Sequence, residues 1–477
     1  MNFATGDTKG YIYEKDGAIC RVHTGTDCTY PQKIFSLYRQ HDLKRFGVIE
    51  TTLQQDGTFL HPLLPLTYPH EWCPSMFKDA VLFHLDLLLI LAKVGLTLKD
   101  ALPENILFLH GRPILVDFFS LIPQEDLEKE PCLPSHDKRH SILDSMFVPY
   151  MLAPLILYAR GHFEAGRRLL TENFCNNTKA ELAPSQKLTK PSVWQRFKLA
   201  LNVLADHNPS NNALVVQRIV SLLYGKRSSW LDDIRALRPL VASLDVTMSS
   251  SAYIDYYQMK KEDFPLWQRD CWLEKQQGYA QALELCQPKT LLELGGNTGW
   301  FPRLAVINGA EVISTDIEVA CVEHMYRYAR CTNEPIMPLW LSFDGLSEEC
   351  YSLDGHGKRQ KYPFHMAATK RLSCEMVSCL GLLHHLTLGL GKSFTEIAKV
   401  LRSLCQKSLL IEFVALDDVL IHENPDFFPN LNQWNPSTYS IDTMLKAFKP
   451  FFHLQQIFPS TPAKSRTLLL LDVIKKQ

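Results

Sequence analysis

The chain lacks most of the features that assign a protein to a class quickly. Its 50 basic and 51 acidic side chains leave a formal charge of -1. A large cationic surface of the kind that binds nucleic acid or anionic membrane is therefore not expected. Thirteen cysteines occur with no C-x-x-C pair. That excludes a paired-cysteine zinc site and a regular disulfide scaffold, and favours reduced thiols in a cytoplasmic compartment. The first ten residues are polar and do not form a signal peptide. The most apolar run, Leu82 to Leu91, carries His84 and Asp86 and is too short to span a bilayer. Internal repeats and low-complexity tracts are absent. What remains is an ordinary globular composition, 46% hydrophobic and 21% charged over 477 residues. That length implies two or three domains.

The most informative stretch is Thr290 to Trp300. A buried-strand pattern, Leu291 to Leu294, runs into Gly295, Gly296 and Gly299, and a helical pattern begins at Phe301. Glycines at such a turn let the backbone approach a ligand that a Cβ would exclude. The helix start beyond it supplies unpaired N–H groups. The turn has no third glycine of the G-x-G-x-x-G form that cradles a pyrophosphate. Its Glu293-x-Gly295-x-x-x-Gly299 spacing suits a cofactor without phosphate.

Strand and helix patterns then alternate. A second strand, Ala310 to Ile317, carries Asp316, where a ribose would present its hydroxyls. A helix over Val319 to Cys331 and a third strand, Ile336 to Phe343, lead to Asp344. Arg371 to Leu383 reads as a fourth strand ending in His384-His385. A helix, Phe394 to Leu404, precedes a fifth strand, Ser408 to Val414, that carries Glu412. After a helix at Ile441 to Phe448, two late runs, Phe452 to Phe458 and Thr467 to Val473, have no helix between them. They are predicted to pair as an antiparallel hairpin at a sheet edge. Tyr253 to Leu285 is aromatic-rich and helical, and reads as core.

The first third begins with a predicted hairpin around Asp16-Gly17, a helix over Pro31 to Phe46 and a second hairpin within Val48 to Leu60. A long buried helix runs from a Ser75 cap to Val94 and stops at Gly95. Two strands, Ile106 to Leu109 and Ile114 to Phe118, flank Gly111-Arg112-Pro113. Between them and that helix lies Leu98 to Asn105. In the middle, Ser120 to Lys138 and Asn173 to Ser192 read as loops. Ile142 to Arg168, with kinks or breaks expected at Pro149 and Pro154, and Val193 to His207, Ala213 to Tyr224 and Ser228 to Ser243 read as helices.

Two resemblances carry the functional expectation. Asp100, Pro103-Glu104-Asn105 and Asp117, set around a short hairpin, resemble the catalytic loop and metal-binding segment of the protein-kinase fold. That resemblance implies Asp100 as base, with Asn105 and Asp117 holding Mg2+ and ATP if this module binds nucleotide. Leu98-Lys99 stands where His-Arg is usual, Phe118-Phe119 replaces Phe-Gly, and neither a Gly-rich loop nor a Val-Ala-Ile-Lys strand is evident. The C-terminal pattern resembles class I S-adenosylmethionine methyltransferases. With Tyr68-Pro69-His70-Glu71-Trp72, Leu98-Lys99-Asp100-Ala101, Gly111-Arg112-Pro113, Gly295 to Gly299, Leu383-His384-His385-Leu386 and Ile411 to Val414 in this order, the chain resembles bacterial methyltransferases of the nodulation-protein type. The cysteine common in that family after the first glycine is Gly296 here, and a frequent fourth-strand Asp is Glu375.

The expected fold class is α/β. A Rossmann-like seven-stranded sheet over residues 251–477 follows a kinase-like α+β module (1–121) and a helical connector or C-lobe-like region (122–250). The resemblance assigns S-adenosylmethionine to Glu293, Gly295, Gly296, Asn297, Gly299, Asp316, Phe343 and Asp344. His384, His385 and Glu412 are the candidate bases for a hydroxyl or amine acceptor. The acceptor is a small molecule, glycan or protein. The missing Asn-Pro-Pro-Tyr segment argues against adenine N6 methylation, and the balanced charge disfavours nucleic acid. The competing expectations are phosphate or nucleotide transfer by the first module, and an inactive binding scaffold.

Overall fold

The computed structural model describes residues 2–3, 10–24, 29–127, 142–177, 211–224, 229–248, 251, 253–259, 263–350, 365–460 and 465–474. The chain divides into two compact units. One comprises Met1–Thr247 with Glu349–His365, and the other Met248–Glu348 with Met366–Gln477.

The first unit opens with a five-stranded antiparallel sheet of order β1-β2-β3-β5-β4. Its strands are β1 (Asn2–Phe3), β2 (Gly10–Lys15), β3 (Ala18–His23), β4 (Thr52–Leu53) and β5 (Phe59–Pro62). Asp16 and Gly17 both adopt positive φ, 51° and 75°, so a two-residue turn joins β2 to β3 and matches their twist. A helix, Thr29–Gln40, follows β3. Tyr38, Phe59, Phe118 and Phe119 pack ring against ring beneath the sheet.

The long buried helix spans Pro74–Lys93. It starts one residue before the Ser75 cap expected from sequence: Cys73 is the cap and Pro74 takes the first helical position, where a missing N–H costs nothing. Next come β6 (Leu96–Leu98), the hairpin β7 (Ile106–Leu109) to β8 (Arg112–Leu115), and β9 (Leu121–Pro123), which pairs with β6. The second hairpin strand ends at Leu115 rather than Phe118. Phe118–Ser120 is a helical turn, because both phenylalanines leave the ladder for the aromatic cluster. Strand β9 and a turn occupy part of the expected loop after Ser120; its later part, like the Val193 to His207 helix, lies outside the described residues. The Ile142 to Arg168 helix is broken at Gly161 (φ 77°), giving helical runs over Leu143–Ala159 and Phe163–Asn177. Helices Asn211–Tyr224 and Trp230–Ser243 complete the unit, and Arg238 holds Asp86 through two hydrogen bonds of 2.9 and 3.0 Å. Sheet, helix, second hairpin, long helix, loop and hairpin follow in the order of a protein-kinase fold.

The second unit is a seven-stranded sheet. Its strands are β10 (Thr290–Leu294), β11 (Glu311–Asp316), β12 (Ile336–Trp340), β13 (Cys374–Cys379), β14 (Cys405–Val414), β15 (Phe452–Pro459) and β16 (Arg466–Val473). The order is β12-β11-β10-β13-β14-β16-β15, parallel through β14, with β16 antiparallel to both its neighbours. The late hairpin thus lies at one edge, as its missing crossover requires. Strand order reverses between β10 and β13, and open α/β sheets place their ligand crevice at such a point.

Several boundaries differ from the sequence pattern. The fourth strand ends at Cys379, because Gly381 (φ 60°) turns the chain out of the sheet. The third ends at Trp340, and Asp344 opens a short helical turn. The aromatic stretch before β10 is not one helix but a short turn, Tyr256–Met259, a single turn at Arg269–Cys271 and a helix, Glu274–Cys286. Its Tyr257, Trp272 and Tyr279 enter the core with Trp300 and Phe301, while Trp267 is 80% exposed.

Candidate active site

Buried β10 delivers the chain to a turn that is tied sideways to β11. The N–H groups of Gly295 and Gly296 both donate to the Thr315 carbonyl, at 2.8 and 3.1 Å. Gly295 and Gly299 have φ of 75° and 96°, which favours glycine at both. Gly296 is required for a different reason. A Cβ there would lie 1.9 Å from Ser314 Oγ, so the backbone sits directly over that hydroxyl. On the other side of the turn, a Cβ on Gly295 would meet nothing nearer than Leu382, at 3.9 Å. Helix Trp300–Ile307 starts immediately after Gly299.

Asp316 ends β11 beside this turn. One carboxylate oxygen accepts the Asn297 N–H and the other the Glu318 N–H, each at 2.8 Å. Burial pushes its carboxyl up, and the two backbone donors oppose that shift. Each oxygen keeps lone-pair capacity for a further donor, which suits the two neighbouring hydroxyls of a ribose. The Asn297 side chain is committed elsewhere, to the Tyr253 carbonyl and the Thr298 N–H. Its contribution to the cradle is its backbone.

Four of the sequence-derived positions differ in placement from the turn itself. Glu293 is 1% exposed and lies behind the turn, accepting a hydrogen bond from the Tyr279 hydroxyl at 3.1 Å. Burial pushes its carboxyl up to about 7. It supports the turn from below instead of facing a ligand. Phe343 caps the helical turn Asp344–Ser347, and Asp344 is exposed and ion-paired with Lys392 at 2.5 Å. Glu375 sits at the amino end of the interior strand β13, bonded to Lys407 and the Lys289 N–H, at the end of the sheet opposite the crevice.

At the carboxyl ends of β13 and β14 the structure separates the three candidate bases. Glu412 is fully buried and saturated by donors: Lys275 Nζ at 2.8 Å, the Gly381 N–H at 2.7 Å and Ser460 Oγ at 2.5 Å. Against the effect of burial, the charges of Lys275 and Arg466 hold its carboxyl below the usual range. A carboxylate so engaged is a poor proton acceptor, which speaks against the base role considered for Glu412. It anchors the Gly381 turn. His384 and His385 follow that turn, their ring centroids 4.3 Å apart and both against Phe428. Burial, then the neighbouring His385 and Arg466, keeps His384 well below its ordinary 6.5, and burial with Arg466 lowers His385 too. His384 Nδ1 is buried without a hydrogen-bond partner among the described residues. Arg466 is itself clamped by Asp418, at 2.8 and 3.1 Å. Lys275, Ser460 and Arg466 had no signal in the sequence, since each comes from an element remote in the chain.

In the first unit Asp100 accepts from Asn105 Nδ2 at 2.7 Å and from Ser120 Oγ at 2.9 Å. Burial and the charge of Asp117 raise its carboxyl to about 6. Asp117 is ion-paired with Arg21 at 2.5 Å. Arg21 lies on β3, in Ala18-Ile19-Cys20-Arg21. The β1–β2 loop, where a Gly-rich loop would fall, lies outside the described residues.

The sheet order, the glycine turn and an acid closing the second strand define a class I methyltransferase fold, preceded by a kinase-like unit. No protein-family model matches the chain. The similarity to nodulation proteins is borne out. The chain is 26% identical over 396 residues to nodulation protein NoeA of Rhizobium meliloti (strain 1021), covering 78% of this chain and 75% of that protein. Among solved structures it is similar to N-methyltransferase NodS from Bradyrhizobium japonicum WM9 in complex with S-adenosyl-L-homocysteine. The identity is 11%, the coverage 47% of this chain and 100% of that one, and the TM-score 0.30. For the bifunctional kinase-methyltransferase WbdD the figures are 12%, 49% of this chain, 45% of that one and 0.31. At such scores neither structure informs the role of any side chain.

Proposed function

We propose that the protein transfers a methyl group from S-adenosylmethionine to a hydroxyl or amine of a small-molecule, glycan or protein acceptor. The observation that carries this reading is the turn Gly295–Gly299 locked to Asp316 through the Asn297 N–H. It is a phosphate-free cradle beside a buried carboxylate with capacity for two hydroxyls. Bound there, S-adenosylmethionine supplies an electrophilic methyl on a sulfonium. In this reading Asp316 binds the ribose, and the backbone at Gly295 to Gly299 receives the methionine part. Phe343 and Asp344 flank the adenine, Asp344 after exchanging Lys392. Glu293 acts through the turn it supports.

Methyl transfer from a sulfonium is an in-line displacement, so the protein's work is positioning and, for a neutral acceptor, removing a proton. His384, held neutral by burial, is the proposed base, with His385 tilted beside it as the second imidazole able to take the proton. The Lys275–Glu412 pair fixes the Gly381 turn from which both project. Residues 251–477, apart from the Glu349–His365 segment, form the methyltransferase domain in this reading, with 1–121 the kinase-like module and 122–250 a helical connector or C-lobe-like region. Phosphate transfer by the first module is not favoured, because Arg21 already neutralises the carboxylate of Asp117 that would hold magnesium.

The test is a screen of metabolite and lysate fractions for label transferred from methyl-labelled S-adenosylmethionine, with Asp316→Ala as control. Label that appears with the wild type and drops at least tenfold in the variant supports the reading. Equal labelling by both proteins sinks it.

A further inference from the structure

The motif Tyr68-Pro69-His70-Glu71-Trp72 is not used by the methyltransferase reading, yet all of it but His70 is buried. Tyr68, Glu71 and Trp72 are 5%, 1% and 0% exposed. Pro69–Glu71 form one tight helical turn just before the long helix Pro74–Lys93. A third polar residue meets them from far along the chain. His365 belongs to the Glu349–His365 segment that the sequence inserts between the third and fourth strands of the methyltransferase sheet and that folds as part of the first unit. The His365 ring centroid lies 5.1 Å from that of His70 and 4.4 Å from that of Tyr68. One ligand atom each from His70, Glu71 and His365 fall within 4.8 Å of one another.

We propose that His70, Glu71 and His365 bind one Zn2+ that clips the inserted segment to the first unit. Two imidazoles and a carboxylate are a borderline N2O donor set, which suits zinc with a water as fourth ligand. Metal–ligand distances of about 2.0–2.1 Å put tetrahedral ligand atoms roughly 3.3 Å apart. Small side-chain rotations therefore close the present cluster around an ion. The surroundings also orient the ligands, as working metal sites require. The Tyr68 N–H donates to Glu71 Oε2 at 2.9 Å and sets the plane of the carboxylate. The Tyr68 ring stacks on His70 at an interplanar angle of 6°. Arg167 Nε holds the His70 carbonyl at 2.9 Å. The backbone of His365 is fixed by a bridge to Cys350, with N···O distances of 3.0 and 3.2 Å.

Two imidazoles and a carboxylate are also the donors of non-haem iron(II) oxygenases, but those keep open positions for substrate. Here Glu71 and His365 are buried and the Tyr68 ring packs against both histidines, so a zinc with one water, walled off from any substrate, is the better match.

The test is metal analysis of the full chain purified without chelator, alongside His70→Gln and His365→Gln. The expected result is about one zinc per chain in the wild type and less than about 0.2 in each variant. The thirteen cysteines make this comparison necessary, because adventitious zinc on thiols would be equal in all three proteins. As a readout that does not depend on the variants folding, wild-type protein stripped with EDTA is melted with and without added zinc. A rise of about 5 °C on zinc addition is expected. Zinc content that is equal in variants and wild type, a wild type without zinc whose melting is unmoved by it, or iron at one per chain would each overturn the proposal.

Discussion

At the scale of single residues, three buried ionisable groups make the account testable. Glu293 ionises near 4.5 when exposed and near 7 in the folded protein. Its folded value is raised, so its contribution to stability is complete below pH 4.5 and is lost as pH rises through 7. Glu293→Gln removes that titration. Thermal melts should show the variant gaining on the wild type by roughly 1–3 kcal/mol between pH 5 and pH 8. A gap that does not change with pH would contradict the burial argument. Lys275→Met strips the cation from buried Glu412 and should cost about 3 kcal/mol in urea unfolding. Adding Glu412→Gln should recover part of that loss. His384→Gln should lower the methyl-transfer rate at least ~100-fold while leaving cofactor affinity within about twofold. The His384 value is depressed below 6.5, so the imidazole is already neutral at pH 7. The wild-type rate should therefore be flat above pH 7 and fall only in acid. An unchanged rate in the variant would remove His384 from the chemistry.

At the scale of elements, the glycine turn and strand β11 form one coupled piece. The chain carries Gly296 where the nodulation-type methyltransferases commonly carry cysteine, and the structure gives the reason: Ser314 Oγ occupies the space a Cβ would need. Ser314 Oγ is buried with no hydrogen-bond partner among the described residues, so its removal is cheap. Gly296→Ala should displace the turn and weaken S-adenosyl-L-homocysteine binding about tenfold. Gly296→Ala combined with Ser314→Ala should bind nearly as well as the wild type. Calorimetry on the three proteins decides the matter, and a double variant as weak as the single one would show that the clash is not with Ser314.

At the scale of the whole molecule, the strand patterns around Gly295, Asp316 and the late hairpin are legible because buried parallel strands are short apolar runs with sharp ends. The parts that are not legible depend on residues distant in the chain. Glu412 is a plausible base in sequence, and only the fold brings Lys275 and Ser460 to its oxygens. Arg21 and Asp117 are 96 residues apart, and only the fold pairs them. The histidine pair reads as a strand end in sequence because Gly381, which turns the chain away, sits inside an apolar run. Periodicity also cannot show that Glu349–His365, embedded in the methyltransferase sequence, folds with the first unit. Among the described residues no helix is long and apolar enough to cross a membrane.

The central claim is that the Gly295–Gly299 turn and Asp316 hold S-adenosylmethionine. The most direct measurement is calorimetric titration of the full chain, wild type and Asp316→Ala, with S-adenosylmethionine and S-adenosyl-L-homocysteine. Micromolar binding by the wild type and at least a tenfold loss in a folded Asp316→Ala variant is the outcome this structure predicts. A folded wild type that binds neither compound would contradict it.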